Sequence, residues 1–150
     1  MTLTPGFDGY AARIRDSFAR MTFMQTMGMK LTHIAPGEID VVMAHDQKYC
    51  QQHGFLHGGA ASTGMDTVCG FSALTLVSED AGVLTVETKT NFLSPAKGDR
   101  FRFEGRVIKP GRTLIFTEAT TFGIVGDQEK LVSTMTCTMM CITGRDEVKG

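Results

Sequence analysis

A chain of 150 residues with an apolar fraction of 42% has the size and composition of one globular domain. The net charge of −1 argues against the basic surface that nucleic-acid binding requires, and the uncharged stretches are too short and too polar to span a membrane. We expect no signal peptide before this domain, and because the four cysteines lack CxxC spacing, we expect free thiols and a cytoplasmic protein.

The first elements along the chain are predicted to be a helix and a pair of strands. Residues 7 to 21 carry apolar side chains at three- and four-residue spacing, with Arg13 and the other charged residues elsewhere, which is the pattern of an amphipathic helix. A short further turn is expected at residues 23 to 27. Strands are then predicted at residues 29 to 35 and 38 to 45, joined by a Pro-Gly turn.

The most apolar helical candidate follows, at about residues 58 to 76. Beyond it the pattern changes to alternation and predicts four strands, which we expect to follow one another as a meander. They cover residues 83 to 93, 100 to 107, 113 to 122 and 130 to 142. A helix that is apolar on most sides must be covered, and an antiparallel sheet curled around it is the economical solution. We therefore predict an α+β fold in a single domain.

One acidic residue, Asp66, lies alone within this apolar helix. It belongs to a stripe of otherwise small residues, which would let a substrate or another backbone come close. The other members of this stripe are Gly58, Ser62, Gly70 and Ala73. The alternative is that Asp66 is only solvated, but an exposed helix face normally carries several charges. A lone carboxylate is costly to bury, so Asp66 is the first candidate for a catalytic group.

The tripeptide His57-Gly58-Gly59 stands where this helix should begin. The first N–H groups of a helix have no internal partner and stabilise a developing oxyanion, and the two glycines would let a carbonyl reach them. The alternative is a tight strand-to-helix turn, which also favours glycine. Gly58 and Asp66 are separated by about 12 Å along a helix, whereas reacting atoms must approach to about 3 Å. If both residues act on one substrate they come from different chains, which predicts a dimer with its site at the interface.

A metal site is another chemistry that this segment suggests. His53 and His57 are four residues apart, which on a helix would place two ligands on one face. Gly54 and Gly58 argue against a helix across this interval, and Cys50 is the one further ligand nearby. We therefore expect no metal.

The segment 57–59 (His-Gly-Gly) followed by Asp66, together with Thr85 and the later segments 93–98 (LSPAKG) and 109–113 (KPGRT), resembles the hot-dog-fold acyl-CoA thioesterases of the PaaI type. The order of elements matches over nearly the whole chain. The resemblance implies a hot-dog fold and hydrolysis of an acyl- or aryl-CoA to the free acid and CoA. It also implies that no cofactor is needed, and we expect a homodimer that assembles further into a homotetramer.

The resemblance also implies roles for individual residues. Asp66 would act as nucleophile or general base, and Gly58 of the partner chain would donate its N–H to the thioester oxygen. His57 would help to place the turn and the thioester, and Thr85 would position the attacking water. Family members commonly carry Asn six residues before the motif His, where this chain has Gln51. The leaving-group contact or the substrate range is therefore open to change.

Candidate substrate-binding residues form a group beside the turn, for the acyl part, and a basic group in later turns, for the phosphates of CoA. They are Gly59, Phe55, Leu56, Lys97, Lys109 and Arg112. Two alternative functions remain, which are an enoyl-thioester hydratase or dehydratase of the same fold and a non-catalytic acyl-CoA-binding module. The sequence pattern leaves the acyl group itself open.

Overall fold

In the computed structural model, residues 2–150 form a six-stranded antiparallel sheet with three α helices. The helices are α1 (Tyr10–Arg20), α2 (Thr22–Thr26) and α3 (Gly58–Leu74). The strands are β1 (Met29–Ala35), β2 (Glu38–Ala44), β3 (Gly82–Phe92), β4 (Arg100–Lys109), β5 (Leu114–Val125) and β6 (Gln128–Ile142). Helix α3 contacts every strand from β2 to β6. The predicted α+β architecture, a curled sheet around a central helix, is confirmed.

The strand order in the sheet is β1-β2-β4-β5-β6-β3. Strands β4, β5 and β6 form a meander as expected, but the prediction that β3 leads into it is wrong. β3 pairs with β6 instead, from Gly82 opposite Ile142 to Phe92 opposite Ser133. Alternation along a sequence identifies a strand without identifying its neighbour. The segment between β3 and β4 carries the chain past β6 and β5, so β3 forms one edge of the sheet.

Strand β3 is an exposed edge with an apolar character. Its side chains Leu84, Val86 and Phe92 are 46%, 56% and 59% exposed. An edge strand also presents a row of main-chain donors and acceptors that another chain can pair with.

One face of α3 lies directly on the sheet. The buried residues of this face are Ala61, Met65, Val68 and Ser72. Two glycines permit the close approach. A Cβ at Gly64 would lie 2.5 Å from Cε1 of Phe103, and a Cβ at Gly105 on β4 would lie 2.5 Å from the carbonyl oxygen of Val68. The contacts at Gly64 and Gly105 therefore fix the position of α3 on the sheet. They also determine which residues of α3 lie on the face that points away from the sheet.

Helix α1 is tied to the end of α3 by Arg13. The prediction that Arg13 lies away from the buried face is wrong, because its guanidinium is buried and donates to the carbonyl oxygens of Val77 at 3.0 Å and Ser78 at 2.8 Å, and also to that of Leu74. Burial lowers the pKa of Arg13. The long side chain of Arg13 allows it to leave the polar stripe of an amphipathic helix and reach main-chain oxygens.

Within residues 2–150, no helix has both the length and the apolar character needed to cross a membrane. The same residues contain no cluster of three or more His, Cys, Asp or Glu side chains placed to hold a metal ion. The cysteines are free thiols, of which Cys69 and Cys137 are buried and Cys50 and Cys141 are half-buried.

Candidate active site

The His-Gly-Gly turn caps the N-terminus of α3. His57 is the N-cap residue, with φ −61° and ψ 138°, and its Nδ1 accepts a hydrogen bond of 2.8 Å from the N–H of Gly59. A ring nitrogen that accepts carries no proton, so a neutral His57 holds its proton on Nε2. The Gly59 N–H is therefore occupied by His57. Among residues 2–150, the Gly58 N–H has no acceptor.

Gly58 opens onto a cavity of about 540 Å³, here called the turn cavity, which Gln51, Phe55 and Leu56 also line. Gln51 is fixed on both its main chain and its side chain. Its N–H donates to the carbonyl oxygen of Phe55 at 2.9 Å, and its Oε1 accepts from the N–H of His53 at 2.6 Å. The side-chain NH₂ of Gln51 remains available as a donor. The structure thus brings together four of the residues that the sequence singled out.

Asp66 lies on α3 beside a different cavity, of about 470 Å³, here called the carboxylate cavity. Its Oδ1 accepts a hydrogen bond of 2.8 Å from Oγ1 of Thr85 on β3. Thr85 lines the same cavity, so the structure places these two predicted site residues in direct contact. With Oδ1 bound by Thr85, the second carboxylate oxygen, Oδ2, is left to face a substrate or a water molecule.

The two cavities are lined by separate sets of residues, and no residue is common to both. Gly58 is the first residue of α3, and Asp66 is eight residues further along, which corresponds to about 12 Å. One chain therefore does not bring the Gly58 donor and the Asp66 carboxylate to the same substrate atom.

The three basic candidates do not form one cluster. The Lys97 ammonium lies 5.2 Å from the centre of the Phe55 ring, which places it beside the turn cavity. Lys109 ends β4, and Arg112 lies in the turn that follows. Because β4 rises by roughly 3.3 Å per residue, Lys109 is about 30 Å from Arg100, the first residue of the strand, which follows Lys97 by three residues. The three residues cannot bind the same phosphate group within one chain.

Residues Glu147 to Gly150 also line the carboxylate cavity, and the sequence analysis did not predict them. The strand pattern ends at Ile142, and the residues after it show neither helical nor strand periodicity. Their position became apparent only from the packing of this segment against β3.

A helix that begins at a His-Gly-Gly turn, carries one carboxylate on its open face and is wrapped by an antiparallel sheet defines a known class of protein. The family model of the thioesterase superfamily matches residues 53–123, from the turn into β5. Acyl-coenzyme A thioesterase 13 of Homo sapiens is 30% identical over 99 residues, which cover 63% of this chain and 69% of that protein. This chain belongs to the thioesterase superfamily.

Solved structures agree with this assignment. A thioesterase family protein from Silicibacter pomeroyi is 47% identical, with a TM-score of 0.89 over 91% of this chain and 100% of that chain. The PaaI protein of Escherichia coli is 16% identical and shows the same fold, with a TM-score of 0.80 over 90% of this chain and 94% of that chain. The chain spans 65% and 63% of the lengths of two Saccharolobus solfataricus relatives. The expected relationship to hot-dog thioesterases of the PaaI type is confirmed at the level of the family and the fold.

Proposed function

We propose that this protein is an acyl-CoA thioesterase whose active site is shared between two copies of the chain. One observation carries the proposal. Asp66 and the free Gly58 N–H belong to separate cavities of one chain, although the chemistry requires a carboxylate and an oxyanion donor at one thioester. The name of the human relative, an acyl-coenzyme A thioesterase, supports the same substrate class.

Asp66 provides the attacking side of the reaction. As a general base it takes a proton from water while the water oxygen adds to the thioester carbonyl carbon; as a nucleophile it adds to that carbon itself. In both cases the C–S bond then breaks, and the CoA sulfur leaves as a thiolate that takes up a proton. In the nucleophilic route, water then cleaves the anhydride formed on Asp66, which releases the free acid and restores the carboxylate. Thr85 positions the carboxylate, because its hydrogen bond to Oδ1 directs Oδ2 toward the substrate.

Gly58 of the partner chain provides the stabilising side. Its N–H donates to the carbonyl oxygen as negative charge develops there, in the place where the start of a helix concentrates partial positive charge. His57 acts by holding the turn through its hydrogen bond to Gly59. Gln51 lines the same turn cavity, and its NH₂ group would donate to the thioester or the pantetheine arm.

The dimer that this site requires is consistent with β3. The strand carries Thr85 and is an exposed apolar edge, so pairing of two β3 strands would bring two copies together beside their carboxylates. Lys97 is the basic residue that lies near the turn cavity and would meet a phosphate of CoA. Given their distance from Lys97, Lys109 and Arg112 could contribute to the same CoA only from the partner chain. Assembly to a tetramer remains a prediction.

Thiol release from a panel of short, long and aromatic acyl-CoAs tests the activity. We expect Asp66→Asn to lower kcat by about 10²- to 10⁴-fold with an unchanged circular dichroism spectrum, since a general base contributes about that much. Asp127→Asn, in the exposed turn between β5 and β6, is the matched control and should retain full activity. Hydration of an enoyl-CoA without thiol release, or acyl-CoA binding without turnover, would support the alternative functions instead.

A mixed dimer tests the shared site. A chain carrying Asp66→Asn retains Gly58, and a chain carrying Gly58→Pro retains Asp66. Dimers that contain one of each hold one intact site and one doubly defective site. We expect about half of the wild-type activity from them, whereas each variant alone should be nearly inactive. Mixed dimers as inactive as the two parents would show that both groups come from the same chain.

A further inference from the structure

The segment after β6 closes one side of the carboxylate cavity. Residues Asp146–Val148 form a short 3-10 turn, and Glu147, Val148, Lys149 and Gly150 line the cavity together with Asp66 and Thr85. We call residues 146–150 the wall segment. Its side chains and main chain have no role in the proposed chemistry, so their presence beside the carboxylate calls for a separate explanation.

The wall segment is built onto the fold by close contacts. A Cβ at Gly82, the first residue of β3, would lie 1.7 Å from the carbonyl oxygen of Val148. A Cβ at Gly150 would lie 2.6 Å from Cδ2 of Leu74, at the end of α3. Within the segment, the Lys149 ammonium forms an ion pair of 2.6 Å with Asp146. The segment therefore occupies a defined place between the start of β3 and the end of α3.

The face of α3 that lines the carboxylate cavity extends from Asp66 to the wall segment. Asp66, Gly70 and Leu74 are spaced four residues apart, so they follow one another on the same helix face. A Cβ at Gly70 would meet no atom within 4 Å, so the space directly over Gly70 is open, and all three residues line the carboxylate cavity. Besides Val148 of the wall segment, the apolar residues that line this cavity are Met21, Phe23, Met24, Phe71, Leu74, Val83 and Leu84. The cavity therefore has the character of a site for an aliphatic chain.

The length of this line can be estimated from the helix. Asp66 and Leu74 are eight residues apart, which is about 12 Å. A fully extended chain advances roughly 3.5 Å for every three single bonds, as a peptide backbone does, so about ten bonds fit into that distance. A medium-length acyl chain would therefore reach from the thioester at Asp66 to the wall segment.

We propose that the carboxylate cavity binds the acyl chain of the substrate and that the wall segment, through Val148 and Gly150, sets the maximum chain length at about ten carbons. This inference rests on the proposed thioesterase function and extends it to the substrate class. The preferred substrate is accordingly a straight medium-chain acyl-CoA. Each methylene buried in the cavity should raise kcat/KM by about fourfold until the chain meets the wall.

Two full-length variants should move this limit in opposite directions. Gly70→Leu fills the free space one helical turn beyond Asp66, so the chain-length optimum should fall by several carbons. Gly82→Val places a side chain on the carbonyl of Val148 and displaces the wall segment, while a β-branched residue remains suited to strand β3. We expect Gly82→Val to accept chains longer than the wild-type limit, with at least a tenfold gain in kcat/KM for those chains.

Hydrolysis of acetyl-CoA is the internal control, because an acetyl group is too short to extend past Gly70 to the wall segment. Its kcat/KM should stay within about twofold of wild type in Gly82→Val, because Gly82 does not line the carboxylate cavity. If Gly82→Val does not fold, a chain that ends at Arg145 tests the same wall without a new side chain. An unchanged chain-length profile in variants that hydrolyse acetyl-CoA normally would overturn this inference alone. A wild-type protein that releases no thiol from any acyl-CoA would overturn the proposed function instead.

Discussion

Replacement of Gly58 by proline, which has no main-chain N–H, tests the role assigned to this residue. Gly58 is the first residue of α3, a position where proline is favoured because its missing N–H has no helical partner. The preceding residue, His57, has φ −61° and ψ 138°, a conformation that residues before proline adopt readily. The exchange Gly58→Pro should therefore leave the helix intact and delete the proposed oxyanion donor. Loss of such a donor costs about 10²- to 10³-fold in kcat.

The control for this exchange is Gly58→Ala, which retains the N–H. A Cβ at this position would lie 3.0 Å from Cζ of Phe92, and both variants introduce that contact. The Phe92 ring is 59% exposed and can move aside, so the shared steric effect should be small. Steady-state thiol release would then show the alanine variant near wild type and the proline variant at least a hundredfold slower in kcat. Equal kcat values for the two variants would refute the assignment of Gly58.

Three further predictions follow from single contacts. Thr85→Val should lower kcat about tenfold to a hundredfold, because it removes the hydrogen bond to Asp66, while Thr85→Ser should retain most activity. Arg13→Met should lower the free energy of unfolding in urea by about 3 kcal/mol, because several buried carbonyl oxygens lose their donor, and a similar value for the exposed Arg15→Met would contradict this. Gly70→Ala should raise the free energy of unfolding by about 1 kcal/mol, since the methyl group meets open space and alanine favours helix; a destabilised protein would disprove that space.

Local patterns were sufficient to predict most of the elements. Strand β1 occupies the predicted residues 29 to 35, and α3 begins at Gly58 as expected. The helix ends at Leu74, two residues earlier than predicted, and Oγ1 of the following Thr75 accepts a hydrogen bond of 2.7 Å from the N–H of Gly37. That contact joins the end of α3 to the turn between β1 and β2. The two residues of this contact are 38 positions apart, and the paired residues of β3 and β6 are still further apart. Local periodicity in the sequence does not reveal contacts over such separations.

The candidate site was accessible from the sequence only in part. The isolation of Asp66 in an apolar helix is visible in the sequence, and its separation from Gly58 follows from helix geometry. The use of the Gly59 N–H by His57 is not visible, since it depends on which way the imidazole ring points. Arg13 was predicted on the polar side of α1 because an amphipathic pattern takes account of charge but not of how far a long side chain can extend. The wall segment shows no periodicity, and its position follows from its packing against Gly82 and Leu74.

Helix α3 meets two opposed requirements on its two faces. Against the sheet, Gly64 lets the helix contact Phe103 so closely that no space is left for a methyl group at this position. On the other face, Gly70 keeps the space beside Asp66 empty. Each interior glycine costs the helix about 1 kcal/mol relative to alanine, but only the first is required by packing within the chain. The second lowers stability without any compensating contact in residues 2–150, which is expected where a ligand and not the protein fills the space. A glycine without a structural reason, one turn from a lone carboxylate, is therefore itself an argument that this face of α3 receives a substrate.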